Sequence, residues 1–140
     1  PCGGEYNDSV QASMKQLGMP LILWDVDTLD WKYRDAASVK QHILDGAQDG
    51  AIVLEHDLYE TTVEGVLAAI DELQQQGYAF VTVSELAKIK GVTLEPGQVY
   101  TGFTDEDLGL TAETDAAANS ESTESTDSTA NTQASDSTSN

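Results

Sequence analysis

Basic residues are scarce in this 140-residue chain: six Lys and Arg stand against 25 Asp and Glu, for a formal charge of −19. A surface this acidic repels phosphate backbones and anionic headgroups, which argues against nucleic acid and anionic membranes as partners. Cysteine is nearly missing. Cys2 stands alone, so no intramolecular disulfide can form and a disulfide-stapled scaffold is excluded. No apolar run is long enough to span a bilayer, and nothing has the make-up of a signal peptide. The chain opens on Pro1 rather than Met, so its natural start is expected to lie upstream. Histidine occurs only at His42 and His56, and neither has a partner at the spacing of a metal site.

The chain has room for one domain at most, and its charge is uneven. Residues 104–140 hold nine acids and no base, leaving −10 on the body and −9 on the tail. From Ala116 onward the tail is Ser, Thr, Ala, Asn and acid, with no large apolar residue. Such a segment cannot bury enough surface to offset the entropy of ordering. The division predicted is therefore a folded part over 1–103 and a disordered, acidic, Ser/Thr-rich tail over 104–140. A tail of this composition suits a protein displayed at a cell surface.

Within the body, short apolar runs alternate with helical patterns. Asp8 or Ser9 can cap a helix over 10–17 that Gly18 stops. A strand follows over Leu21–Asp27, then a polar loop over Lys32–Asp35. Asp35 opens a helix whose face is Val39, Ile43 and Ala47. The run Ala51-Ile52-Val53-Leu54 reads as a second buried strand. Thr61-Thr62-Val63-Glu64 has capping-box spacing and starts a helix striped by Val63, Val66, Leu67, Ile70 and Leu73. A third strand over Tyr78–Val83, a helix over 84–90 and an extended segment over 92–103 with a turn at Pro96-Gly97 complete the body. The alternation implies an α/β fold of parallel strands with right-handed crossovers. Three strands alone leave an exposed edge, so a larger α/β domain is expected, of which this is the carboxyl-terminal part.

Parallel strands deliver functional side chains at their carboxyl ends. His56 ends one strand, two residues after Leu54, and Asp30-Trp31 follows the other. Together with the glycine loop at the start, these residues form an ordered set. Pro1-Cys2-Gly3-Gly4-Glu5-Tyr6-Asn7, Asp25-Val26-Asp27-Thr28-Leu29-Asp30-Trp31 and Ile52-Val53-Leu54-Glu55-His56-Asp57 resemble the third, fourth and fifth motifs of the polysaccharide deacetylase family. That family is the NodB-homology domain, or carbohydrate esterase family 4, and the likeness covers Pro1 to about Lys90.

The resemblance implies the carboxyl-terminal part of a distorted (β/α) barrel. It implies hydrolysis of N-acetyl groups on amino-sugar polymers such as peptidoglycan or chitin, in an extracellular or cell-wall-associated bacterial protein. His56 would protonate the departing amine, and Asp30 would hydrogen-bond to it and favour the imidazolium. Trp31 and Leu54 would wall the pocket for the acetyl methyl, and the backbone N–H of Gly3 would face the oxyanion. A divalent metal, zinc or cobalt, is implied for the complete domain.

Departures from the family pattern are plain. Cys2 stands where the third motif has its second proline, and the arginine of that motif would precede Pro1. The Thr-Phe-Asp-Asp and His-x-x-x-His motifs, which supply the base and the metal ligands, do not occur in this chain. The chain by itself is thus expected to be inactive. Two other readings compete. Asp25-Val26-Asp27-Thr28 resembles the Asp-x-Asp motif of haloacid-dehalogenase-type phosphatases, but without the Gly-Thr that should follow. A non-catalytic cell-surface module that binds carbohydrate or is structural, having lost the metal site, is the other.

Overall fold

Small residues let two helices close on each other. The helices are α3 (Ala36–Gly46) and α4 (Glu60–Gln75), seen in a computed structural model that describes residues 1–110. Val39 and Ile43 from α3 meet Ala69 and Leu73 from α4, and Leu44, Ala47, Val66 and Tyr78 pack around them. Gly65 permits the approach. A Cβ there would meet the Ala36 carbonyl oxygen at 2.6 Å and the Val39 Cβ at 2.7 Å. The predicted α3 face is the one buried, and Asp35 caps the helix by accepting the Ser38 N–H at 2.8 Å.

The remaining elements are α1 (Asp8–Gln16), β1 (Leu21–Ile22), β2 (Val26–Asp27), the one-turn helix α2 (Asp30–Tyr33), β3 (Val53–Leu54), α5 (Val83–Ile89) and β4 (Val99–Tyr100). Their strands form two parallel pairs. Leu21 and Ile22 lie opposite Val99 and Tyr100, while Val26 and Asp27 lie opposite Val53 and Leu54. The fold is mixed α/β. Among the described residues no helix is long and apolar enough to cross a membrane.

Four expectations need correction. The single strand over 21–27 is two short strands, because its first half pairs with β4 and its second half with β3. Asn7, not Asp8 or Ser9, caps α1 by accepting the Val10 N–H at 3.0 Å. Helix α4 begins at Glu60 behind Tyr59, which makes no side-chain cap bond, and its buried positions are Thr62, Gly65, Ala69 and Leu73; Val63 and Leu67 are exposed. The capping box sits instead at Thr82 and Glu85, ahead of α5. That box turns the chain into helix at Val83, and residues 78–82 form no strand; Phe80 and Val81 stay exposed with no strand beside them.

After α5 the chain returns along the body. The Gly97 N–H donates to the Met19 carbonyl at 2.9 Å, β4 adds to β1, and the Phe103 N–H donates to the Gly50 carbonyl at 2.8 Å. Phe103 is fully buried against the backbone of Gly50, whose φ of +103° suits glycine. Folded structure continues past the expected boundary at 103: Thr104 is buried, and Asp107 accepts its N–H at 3.0 Å and its hydroxyl at 2.7 Å. The disorder expected farther along the tail falls on 111–140, outside the described residues.

Gly65→Ala tests the helix contact. Overpacking costs about 1–3 kcal/mol, more than the roughly 1 kcal/mol that alanine contributes to a helix interior. Urea unfolding followed by circular dichroism should show a lower midpoint, and a higher one would contradict the packing described.

Candidate functional site

The site begins with a bend. Asp27, at the end of β2, accepts the Leu29 N–H on its Oδ1 at 2.9 Å. Leu29 takes a left-handed conformation (φ +52°), which costs a non-glycine residue roughly 1–2 kcal/mol. This bend starts α2 with Asp30 as its first residue and buries Asp30 completely. The neighbouring strand is fixed by Thr28, whose hydroxyl donates to the Leu54 carbonyl at 2.8 Å. With Leu54 opposite Asp27, His56 arrives two residues later beside Asp30.

Four donors converge on that carboxylate. Oδ1 accepts from the Trp31 N–H at 2.7 Å and pairs with His56 Nδ1 at 2.8 Å. Oδ2 accepts from the His56 N–H at 2.7 Å and from the Thr62 hydroxyl at 3.0 Å. Burial works to raise the Asp30 pKa. The His56 ring, the His56 N–H, the Thr62 hydroxyl and the Trp31 N–H together outweigh it and hold the carboxyl below its ordinary range. An ionised Asp30 can only accept, so Nδ1 of His56 carries the hydrogen. Nε2, the other ring nitrogen, has no hydrogen-bond partner among the described residues, and the imidazole is 39% exposed. Such a histidine can give or take a proton at Nε2 while its partner carboxylate stays out of water.

The other residues singled out by the sequence fall at different distances from this pair. Trp31 is bonded to Asp30 through its backbone and is half exposed. Leu54 is partly buried at the end of β3, two residues before His56. Gly3 lies in an exposed loop with φ +64°, and a Cβ there would meet nothing within 4 Å. Its neighbour Gly4 seats the loop: a Cβ on it would meet the Trp24 ring at 2.7 Å. His42 is structural, with Nδ1 2.7 Å from the Ser38 carbonyl and its ring stacked on Tyr33. The sequence reading missed Thr62, which it placed only as an interior residue of a capping box from Thr61 to Glu64. The spacing Thr62, Gly65, Ala69, Leu73, which shares only Leu73 with the large apolar stripe, marks the helix face that carries it.

No protein-family model matches the chain. Curated and solved relatives do. The peptidoglycan-N-acetylglucosamine deacetylase PgdA of Listeria monocytogenes is 46% identical over 91 residues, 65% of this chain and 19% of that protein. A solved structure of T48 deacetylase with substrate superposes with a TM-score of 0.65 at 35% identity, over 71% of this chain and 48% of that one. A family 4 acetyl xylan esterase from Clostridium thermocellum, solved in complex with a cobalt ion, superposes at 0.63 and 26% identity, over 70% and 49%. Over these residues the chain belongs to the polysaccharide deacetylase family, carbohydrate esterase family 4. It spans about half or less of the length of these relatives.

A divalent metal is found in one solved member of the deacetylase family. Among the described residues of this chain, no three His, Cys, Asp or Glu side chains come together in a way that could hold one. His56 Nδ1 is engaged by Asp30, which leaves Nε2 as the one open nitrogen of the ring. Among the described residues, the side chains of this chain do not fit a metal centre of their own.

The electrostatics of Asp30 set a pH dependence. Its folded pKa is lowered, so its contribution to stability is complete above the ordinary carboxylate range and is lost as pH falls through the folded value. Asp30→Asn should flatten the acid limb of a stability–pH profile and lower neutral-pH stability by about 1–3 kcal/mol, the scale of a disrupted buried hydrogen-bond set. An unchanged acid limb in urea titrations between pH 2 and roughly pH 6 would contradict this assignment.

Proposed function

We propose that this chain carries the acid half of a polysaccharide deacetylase site that removes N-acetyl groups from peptidoglycan N-acetylglucosamine and releases acetate. The supporting observation is the pair of buried Asp30 and part-exposed His56 at adjoining parallel strand ends. Hydrolysis of an N-acetyl group adds hydroxide to the acyl carbon and a proton to the departing nitrogen. His56 donates that proton from Nε2, while Asp30 holds Nδ1 and orients the ring. Trp31 and Leu54 wall the acetyl methyl, and the N–H of Gly3 faces the developing oxyanion. The general base and a divalent metal, zinc or cobalt, lie with parts of the complete domain that this chain does not carry, so the chain alone is inactive.

In the same proposal, 1–103 is the carboxyl-terminal part of a distorted (β/α) barrel. Support comes from an apolar cleft of about 850 Å³ between β3, α4 and α5, lined by Val53, Val66, Ile70, Phe80, Val81 and Leu86. Val53 and Glu55 face the cleft, so the alternation of a strand sends Leu54 and His56 to the other side. The cleft is therefore where further barrel elements pack, and not the catalytic face. An acidic, displayed protein of the bacterial cell wall fits a polymer substrate outside the cell.

The test uses the full natural protein that contains this chain. His56→Ala should slow acetate release from N-acetylglucosamine oligomers by about a hundredfold or more, with bound metal unchanged. An undiminished rate overturns the role of His56, and parallel loss of metal makes it a ligand. Binding to peptidoglycan without acetate release would instead favour a carbohydrate-binding module. Release from chitin oligomers or acetylated xylan alone would move the substrate class.

A further inference from the structure

We infer that Thr62 is a positioning residue for His56, acting through Asp30. Each oxygen of the Asp30 carboxylate has two donors, and the Thr62 hydroxyl is the only side-chain donor on Oδ2, at 3.0 Å. Thr62 and Asp30 are both sealed from solvent, at 1% and 0% exposure, so water cannot replace the hydroxyl if it is lost. With its hydroxyl on Oδ2, Thr62 joins the His56 N–H in opposing rotation of the carboxylate about Cβ–Cγ, which keeps Oδ1 2.8 Å from His56 Nδ1.

The start of α4 is built around this bond. Thr62 is the third residue of the helix, and the N-cap residue Tyr59 makes no side-chain cap bond. The one threonine of the first turn that is buried aims its hydroxyl at Asp30, leaving the helix end without a box. The carboxylate in turn lies at the positive end of a 16-residue helix, a placement that favours its ionised form. The titratable groups around Asp30 are His56, in contact, and Glu55, whose carboxyl is raised by desolvation first and then by the charge of Asp30. Neither side chain donates to Oδ2, which takes only the backbone N–H of His56 besides the Thr62 hydroxyl among the described residues. Of these two donors, only Thr62 comes from outside the His56 segment.

This inference rests on the deacetylase proposal solely for the use made of His56; the coupling itself is measured without substrate. Thr62→Val keeps the shape and removes the hydroxyl, whereas Thr62→Ser keeps the hydroxyl and removes a methyl. The Asp30 carboxyl carbon is titrated by NMR in each variant of the chain, with the His56 ring followed alongside and His42, bonded to Ser38 within α3, as internal reference. In Thr62→Val the Asp30 inflection should rise by about one pH unit or more, the scale of a lost hydrogen bond to a charged group. Thr62→Ser should stay within about 0.3 unit of the wild type. A Thr62→Val inflection equal to the wild type, or a Thr62→Ser shift as large as that of Thr62→Val, overturns the inference and makes Thr62 a packing residue. Should Thr62→Val not fold, the wild-type protein decides. A Thr62 hydroxyl proton slow to exchange with water supports the bond, and one exchanging as fast as an exposed hydroxyl overturns it.

Discussion

A carboxylate with no access to water must be neutral or fully partnered, and Asp30 is fully partnered. Its four donors come from three separate parts of the chain: α2 itself, the end of the β3 strand and the first turn of α4. Ionised Asp30 therefore ties together elements that share few apolar contacts with one another. The same bonds fix which nitrogen of His56 bears hydrogen. The packing of three chain segments and the orientation of the His56 ring rest on one anion, so a change at position 30 alters both.

The strands around it are only two residues each, and they act as alignment devices more than as a sheet. The pairing of β2 with β3 sets Asp27 opposite Leu54, and from that register the two loops deliver Asp30 and His56 to the same point. The strain of Leu29 is sustained there by the Asx bond from Asp27 and by the burial of Asp30. On the other side of β3 the surface is apolar and lined by Val53, Phe80 and Val81. The two faces of one short strand thus serve different ends, polar chemistry on one and packing on the other.

The Asp30–His56 pair was legible in the sequence because it sits where local rules are strong. A strand running out into Asp30-Trp31 and another into His56 are recognisable without coordinates, and their resemblance to a family made the pairing of Asp30 with His56 an expectation. The Val39–Ile43–Ala47 face followed from helical period alone. Residues 78–83 did not, since a β-prone run becomes a strand only beside a partner, and none of the described residues provides one. Thr62 was hidden for a different reason. Threonine early in a helix ordinarily caps it, and only the buried carboxylate 32 residues earlier in the chain gives its hydroxyl another use. The stripe on α4 was misjudged because Gly65 and Ala69, small and weakly hydrophobic, form the contact with α3 that larger residues would have prevented.

The bond between Asp30 and His56 can be observed directly. Long-range proton–nitrogen NMR correlation of the two histidine rings reports which nitrogen carries hydrogen in the neutral form. For His56 the hydrogen should be on Nδ1, with the Nδ1 proton shifted downfield by the carboxylate and Nε2 showing the signature of a free lone pair. A His56 ring with its hydrogen on Nε2, the preference of free histidine, would contradict the pairing from which the site is built.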